Sequence, residues 1–89
     1  MANKHLTAMP KFYFHLHDGE GWIHDTDGAE CPSFDVAKAK ALAAIRDIVC
    51  GDIMAGRAIV LSHYVTVDDD QGIQVAKVSF GDAVSIIGG

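Results

Sequence analysis

Long apolar runs are absent from this sequence. No segment reaches the roughly 18 consecutive apolar residues that a membrane-spanning helix needs. The opening Met-Ala-Asn-Lys-His is too polar to begin the apolar core of a signal peptide. We therefore expect a cytoplasmic protein with no membrane partner.

Basic residues are also scarce. Seven Lys and Arg stand against twelve Asp and Glu, which gives a net charge of −5, and no basic cluster follows any segment. Because binding to a phosphate backbone depends on clustered Lys and Arg, direct nucleic-acid binding is not expected. An acidic surface suits a basic protein partner, although ordinary solubility charge explains the same composition.

Cysteines and catalytic motifs are few. Cys31 and Cys50 lie near opposite ends of the predicted helix, so we expect two free thiols in a reducing compartment. No phosphate loop, dinucleotide fingerprint, C-x-x-C or H-E-x-x-H pattern is found. The acidic turns near Asp25 and Asp68 lack EF-hand spacing. The sequence therefore predicts a protein that is not an enzyme and holds no cofactor, apart from a metal hypothesis described below.

One stretch, from Ser33 to Gly56, has the length and period of a substantial helix. Ser33 is a typical N-cap and Gly56 a typical left-handed stop. At about 100° per residue, one apolar side forms a stripe rich in alanine, which allows close approach to a sheet. We expect its larger members to be the deep anchors of the core: Phe34, Ile45, Ile48 and Val49.

The remaining chain is predicted to form strands joined by Asp- and Gly-rich turns. The predicted strands are residues 11–17, 22–24, 58–67 and 73–80, with a bulge near Val75 to Val78. Gly81 to Ile87 fits either a helical turn or a strand. We predict an α+β fold of order β-β-α-β-β, with an antiparallel sheet in spatial order 2-1-3-4 and one long helix on one face. Residues 9–89 are expected to form one domain after a flexible tail, 1–8.

Three histidines are predicted to share the outer face of the first hairpin. A four-residue loop from Asp18 to Gly21 would pair His17 with Trp22 and His15 with His24, with Leu16 and Ile23 on the core side. Three converging imidazoles, from His15, His17 and His24, suit zinc, nickel or copper with an open coordination position. His63 would supply a fourth ligand only if the third strand presents it on that face. The alternative is that they are half-exposed side chains on a solvated sheet face.

Several stretches together carry a family resemblance. The first of these stretches is Met9-Pro10-Lys11-Phe12-Tyr13-Phe14-His15. Asp25-x-x-Gly28-x-Glu30-x-Pro32 and an alanine-rich helix follow it, and the last stretch is Val78-x-Phe80. Over about residues 9–87 it resembles a family of small bacterial proteins known only as a domain of unknown function. That resemblance implies no catalytic residues. It also implies either an eight-residue extension before Met9 or a native start at Met9.

A weaker resemblance is one of layout. An aromatic hairpin followed by one alanine-rich helix and further strands is similar to the HicB-like antitoxin domains, although their Pro-Asp-Leu-Pro-Gly-like segment is missing here. This resemblance implies an acidic partner of a small basic RNA-binding protein.

The leading hypothesis is a protein-interaction module, most simply a homodimer. Its support is surplus apolar surface and an open final strand guarded only by Lys77. The apolar residues expected to need cover are Val36, Cys50, Met54, Val84, Ile86 and Ile87.

Overall fold

The computed structural model describes residues 9–84. The predicted tail, 1–8, and the apolar pair Ile86 and Ile87 lie outside the described residues. Five strands and two helices follow one another: β1 Lys11–His17, β2 Trp22–Ile23, β3 Ala29–Glu30, α1 Phe34–Ala55, β4 Tyr64–Asp68, β5 Gln74–Ser79 and α2 Phe80–Ala83.

The sheet is antiparallel, with spatial order β2-β1-β4-β5, and β3 pairs with the other end of β1. This confirms the α+β fold and the predicted order, with β4 and β5 as its third and fourth strands. The first hairpin also has the predicted register, with Leu16 opposite Ile23 and His17 opposite Trp22. The two-residue β3 was not predicted, because so short a strand leaves no alternation to detect.

Helix α1 begins and ends where its capping residues predict. The Ser33 side chain accepts a hydrogen bond from the Val36 amide at 3.3 Å. Gly56 has φ 73°, and its N–H turns back to the last carbonyls of the helix. Three small or branched side chains between these caps are completely buried against the sheet: Ala37, Ala41 and Ile45.

Two of the four expected anchors of α1 were placed too deep. Ile45 and Val49 are buried, whereas Ile48 is only half-buried and Phe34 is 39% exposed. A helical side chain leans toward the helix N-terminus, so a residue in the first turn points past the end of the apolar stripe. The periodicity identified the apolar side of α1 correctly. It did not show how far along the helix the sheet covers that side.

Strand β4 is shorter than predicted. It starts at Tyr64, and the preceding residues are irregular, with Val60 and Leu61 exposed. Partner β5 ends at Ser79, where the Ser79 and Asp82 side chains form a capping box that starts α2. The β-branched residues before Tyr64 therefore have no strand with which to pair, and composition alone does not reveal that.

The last hairpin carries the predicted bulge. Val67 is opposite Ala76 and Asp68 is opposite Gln74, which leaves Val75 as the extra residue. Beyond the bulge, Val78 and Phe80 are buried as expected. Two alternatives were open for Gly81 to Ile87, a helical turn or a strand. The described residues of this stretch begin with a helical turn, because α2 extends to Ala83.

The core lies between the sheet and α1, which packs mainly over β4 and β5. The edge strand β2 extends beyond this cover, so Ile23 is 59% exposed although it was expected on the core side. Arg46 of α1 donates through Nε to the Ala83 carbonyl at 2.8 Å and thereby fixes α2. Cys31 is buried, Cys50 is exposed, and both are free thiols.

Neither helix described in residues 9–84 has the length and apolar character needed to cross a bilayer.

Candidate binding face of the sheet

The side of the sheet opposite α1 carries an array of rings. Alternation along β1 places His15 and His17 on this side, and the pairing of His17 with Tyr64 and of Thr66 with Lys77 extends it across β4 and β5. We call this surface the ring face and define it by six residues: His15, His17, Trp22, His24, Tyr64 and Lys77.

Three rings form the centre of the ring face. The rings of His17 and Tyr64 are stacked, with centroids 4.7 Å apart and planes at 10°. The Trp22 indole meets them edge to face, 4.7 Å from His17 and 5.7 Å from Tyr64. These are the separations at which aromatic pairs attract, so the rings hold one another in place.

The array continues on both sides of this centre. His24 lies nearly parallel to Trp22, with centroids 6.0 Å apart, and edge to face with His15 at 5.1 Å. On the other side, the Lys77 ammonium lies 4.2 Å from the centroid of the Tyr64 ring, as a cation–π contact. Trp22 remains 44% exposed, so much of its indole faces solvent.

Both ring nitrogens of His15 are engaged. The Asp25 amide donates to Nδ1 at 3.1 Å, and Nε2 lies 3.5 Å from Asp68 Oδ2. His15 is therefore held as a structural link between the β2–β3 turn and β4.

The turn that holds His15 is itself tightly constructed. Asp25 Oδ2 accepts from the Phe14 amide at 3.1 Å, and Oδ1 accepts from the amides of Asp27 and Gly28. Desolvation raises the pKa of Asp25, but the amides of Gly28, Phe14 and Asp27 and the nearby His15 outweigh it and leave that pKa below its ordinary value. The carboxylate thus ties this turn to β1.

His17 is fixed by the first turn. The Gly19 amide donates to His17 Nδ1 at 3.3 Å. Asp18 Oδ1 accepts from the amides of Glu20 and Gly21, both at 3.1 Å. These two amides, Glu20 first, lower the pKa of Asp18. The loop is therefore a defined four-residue hairpin, as the predicted register requires.

The structure brings the three candidate zinc ligands onto one face, but with few free nitrogens. His15 uses both nitrogens and His17 uses Nδ1, so a shared ion would require existing contacts to break. Among residues 9–84, no three His, Cys, Asp or Glu side chains are arranged to hold a metal ion. The zinc site at His15, His17 and His24 stays a prediction.

His63 does not join this face. It lies edge to face with Phe80, with centroids 5.7 Å apart, beside a cavity of about 400 Å³ at the end of α1. A fourth metal ligand at this position would require β4 to present His63 on the outer side, and β4 begins one residue later. Apolar side chains line the cavity together with five polar ones: Asp18, Glu20, Asp52, Arg57 and His63.

Sequence reasoning missed Trp22, Tyr64 and Lys77 as members of the ring face. The position of Trp22 on this face could have been predicted, because the predicted register already placed it opposite His17. The position of Tyr64 could not, because the predicted third strand started at Ala58 and its pairing register with β1 was not predicted.

A second surface is the free edge of β5. Within residues 9–84, β5 pairs only with β4. The Phe80 amide donates to the His63 carbonyl at 2.7 Å, and alternation from this pair turns the amide and carbonyl of Lys77 away from β4. The Ser79 amide also faces outward but is already used by Asp82 Oδ2 at 3.1 Å. The open part of the edge is therefore the stretch from Val75 to Lys77.

Lys77 does not guard this edge. Its ammonium lies over the Tyr64 ring, on the outer face of the sheet. The neighbouring apolar side chains are exposed, Ile73 at 60% and Val75 at 38%. An unguarded edge flanked by apolar side chains is a ready template for another strand.

Over residues 9–84, the fold and these surfaces define a small α+β protein with one long helix on a sheet whose outer face and last edge are uncovered. The chain belongs to the family described as a domain of unknown function (DUF6894), whose profile matches residues 11–81. This confirms the family resemblance seen in the sequence. Comparison with curated proteins gave no match, and comparison with solved structures gave none either.

Proposed function

We propose that the protein is a non-enzymatic interaction module that forms a homodimer by pairing β5 of two copies. The observation that carries this proposal is the edge from Val75 to Lys77, which pairs with no further strand among residues 9–84 and whose only charged side chain bends away onto Tyr64. Edge-to-edge pairing satisfies backbone groups that otherwise depend on water. It also covers part of the exposed Ile73 and Val75.

Capping selects one register for this pairing. If Lys77 lay opposite Lys77 of the second copy, Val75 would lie opposite Ser79, and the pairing would compete with the Asp82 carboxylate for the Ser79 amide. Placing Lys77 opposite Val75 of the second copy avoids this conflict. The two-fold axis then passes between the Ala76 residues, and a continuous sheet runs through both copies.

The Lys77 amide offers a specific test. Proline lacks an amide proton and is tolerated on an edge strand where that amide faces away from the sheet. Lys77→Pro should therefore remove an edge donor while preserving the β4–β5 ladder. Lys77→Thr loses the same ammonium but retains the amide, and it is the matched control.

The experiment is analytical ultracentrifugation over roughly 1–200 µM, a range that brackets the affinity of a small interface. We expect a monomer–dimer equilibrium for the parent protein and Lys77→Thr, and at least a tenfold weaker dimer for Lys77→Pro. A thermal melt of each variant checks folding. A parent protein that stays monomeric throughout, or a folded Lys77→Pro that dimerises normally, overturns the proposal.

The second candidate is an antitoxin-like acidic partner of a small basic RNA-binding protein. It is supported by the net charge of −5 and by the layout similar to HicB-like domains. Co-purification of a small basic protein encoded next to this one supports it. A neighbouring basic protein that is co-expressed and does not bind counts against it.

A further inference from the structure

We infer that the exposed Trp22 indole on the ring face binds an arginine side chain of a basic protein partner. This goes beyond the homodimer, because β2 and β5 lie at opposite ends of the sheet order and one surface does not occlude the other. Three observations support it: a cation already bound to this ring array, an open indole next to it, and the charge of the chain.

The array already accepts a cation from the chain itself. Lys77 Nζ lies 4.2 Å from the Tyr64 centroid, well within the roughly 6 Å over which a ring face attracts a cation. Lys77 reaches this position diagonally from β5, where it pairs with Thr66, two residues along β4 from Tyr64. It shows the type of contact that these rings make and occupies only one of them.

Trp22 is the ring on this face that is most accessible to a further cation. Indole is the best cation–π acceptor among side chains, and Trp22 is 44% exposed while Tyr64 is only partly so. Its neighbours His17 and His24 hold the indole between two rings, at 4.7 and 6.0 Å. A ligand therefore meets an indole whose orientation is already fixed, which lowers the entropy cost of binding.

Charge favours a cation over a neutral or anionic ligand. The chain carries −5, and Asp68 borders the ring face with a side chain 23% exposed next to His15. The net charge of the chain repels an anion and attracts a basic segment. Arginine fits better than lysine because its planar guanidinium can stack on the indole and still donate hydrogen bonds at its edge.

The single tryptophan makes the test direct. A decapeptide containing four spaced arginines is titrated into the full chain while Trp22 emission is recorded, with indole and His24 ring resonances followed by NMR. The matched probe replaces every arginine with citrulline, which preserves shape and removes charge. We expect saturable changes with the arginine peptide, and binding of the citrulline peptide that is weaker by at least about two- to fivefold.

Two variants locate the site. Trp22→Phe keeps a weaker ring acceptor and should retain part of the affinity, whereas Trp22→Leu should lose it. Glu30→Gln removes one negative charge away from the ring face, on β3, and should change binding only slightly. Equal binding of the citrulline peptide, equal binding by folded Trp22→Leu, or no saturable NMR shift at millimolar peptide each overturns the inference. Because Lys77→Pro leaves Trp22 intact, failure of the dimer proposal would be seen separately.

Discussion

The two faces of the sheet are stabilised by different means. Toward α1, the sheet packs Val65, Val67 and Val78 against alanines, and stability comes from apolar burial. On the ring face, half-exposed rings pack on one another over turns held by carboxylate–amide hydrogen bonds. Stability on the first face is sensitive to changes in side-chain volume. Stability on the ring face is less sensitive to such changes, because its side chains are half-exposed. A surface that contributes little to folding is free to serve binding.

The largest expected effect lies on the helix side. Ile45→Ala should lower the free energy of unfolding by about 2–5 kcal/mol, because the residue is completely buried and leaves a cavity. Ile53→Ala, at a position 60% exposed on the same helix, should change it by less than about 0.5 kcal/mol. Urea denaturation measures both. Similar losses for the two variants would contradict the division between packed and open surfaces.

The next effect concerns the turn that supports the ring face. Gly28 has φ +70°, and an added Cβ would lie 2.8 Å from a Tyr13 ring carbon. Gly72 has φ +78° but open space around it. Gly72→Ala should therefore cost only the left-handed penalty of about 1–2 kcal/mol, and Gly28→Ala distinctly more. Thermal melts separate the two, and equal shifts in Tm would show that the Tyr13 contact yields freely.

A smaller effect is expected from pH. Asp25 has a pKa below its ordinary value when folded, so its contribution is present above the unfolded pKa and is lost as pH falls through the folded one. Stability of the parent protein should fall with acidification below about pH 4.

Asp25→Asn should flatten part of this dependence and release His15 from its turn. Asp70→Asn, in the exposed turn after β4, serves as the control and should leave the profile unchanged. Urea midpoints measured from about pH 2.5 to 7 test this. Superimposable profiles for the parent protein and Asp25→Asn would contradict it.

The smallest effect tests the zinc hypothesis. Since both nitrogens of His15 are engaged, zinc should first shift the ring resonances of His17 and His24. Binding by such an incomplete ligand set should be weaker than about 10 µM. Saturable shifts of all three rings below that concentration would establish the three-histidine site and show that His15 gives up its contacts.

The elements of the fold were predictable because local signals mark them. Ser33 and Gly56 bounded α1, and alternation along β1 fixed both faces of the first hairpin. The features that were predicted wrongly depend on residues that are distant in the sequence. The exposure of Phe34 and Ile23 follows from how far the sheet and helix cover each other, and the start of β4 follows from where Ser79 ends its partner.

The ring face was predictable only in its histidines. Strand alternation with a period of two predicts that the histidines share one side of the sheet. It does not predict whether their ring nitrogens are free to bind a metal. Whether His15 is a free ligand depends on Asp25 and Asp68, which approach from another turn and another strand. Likewise, nothing in the order Val75-Ala76-Lys77 indicates that the lysine bends over Tyr64 and leaves its edge open.

The pairing of β1 with β4 has a consequence for synthesis on the ribosome. Tyr13 lies opposite Asp68 and His17 opposite Tyr64, so the central pair of the sheet joins distant parts of the chain. Translation at roughly 5–20 residues per second leaves β1 without this partner for several seconds. During that time Phe12, Phe14 and Leu16 offer an apolar strand to chaperones or to neighbouring nascent chains. Folding of the sheet must therefore await the release of the C-terminal hairpin.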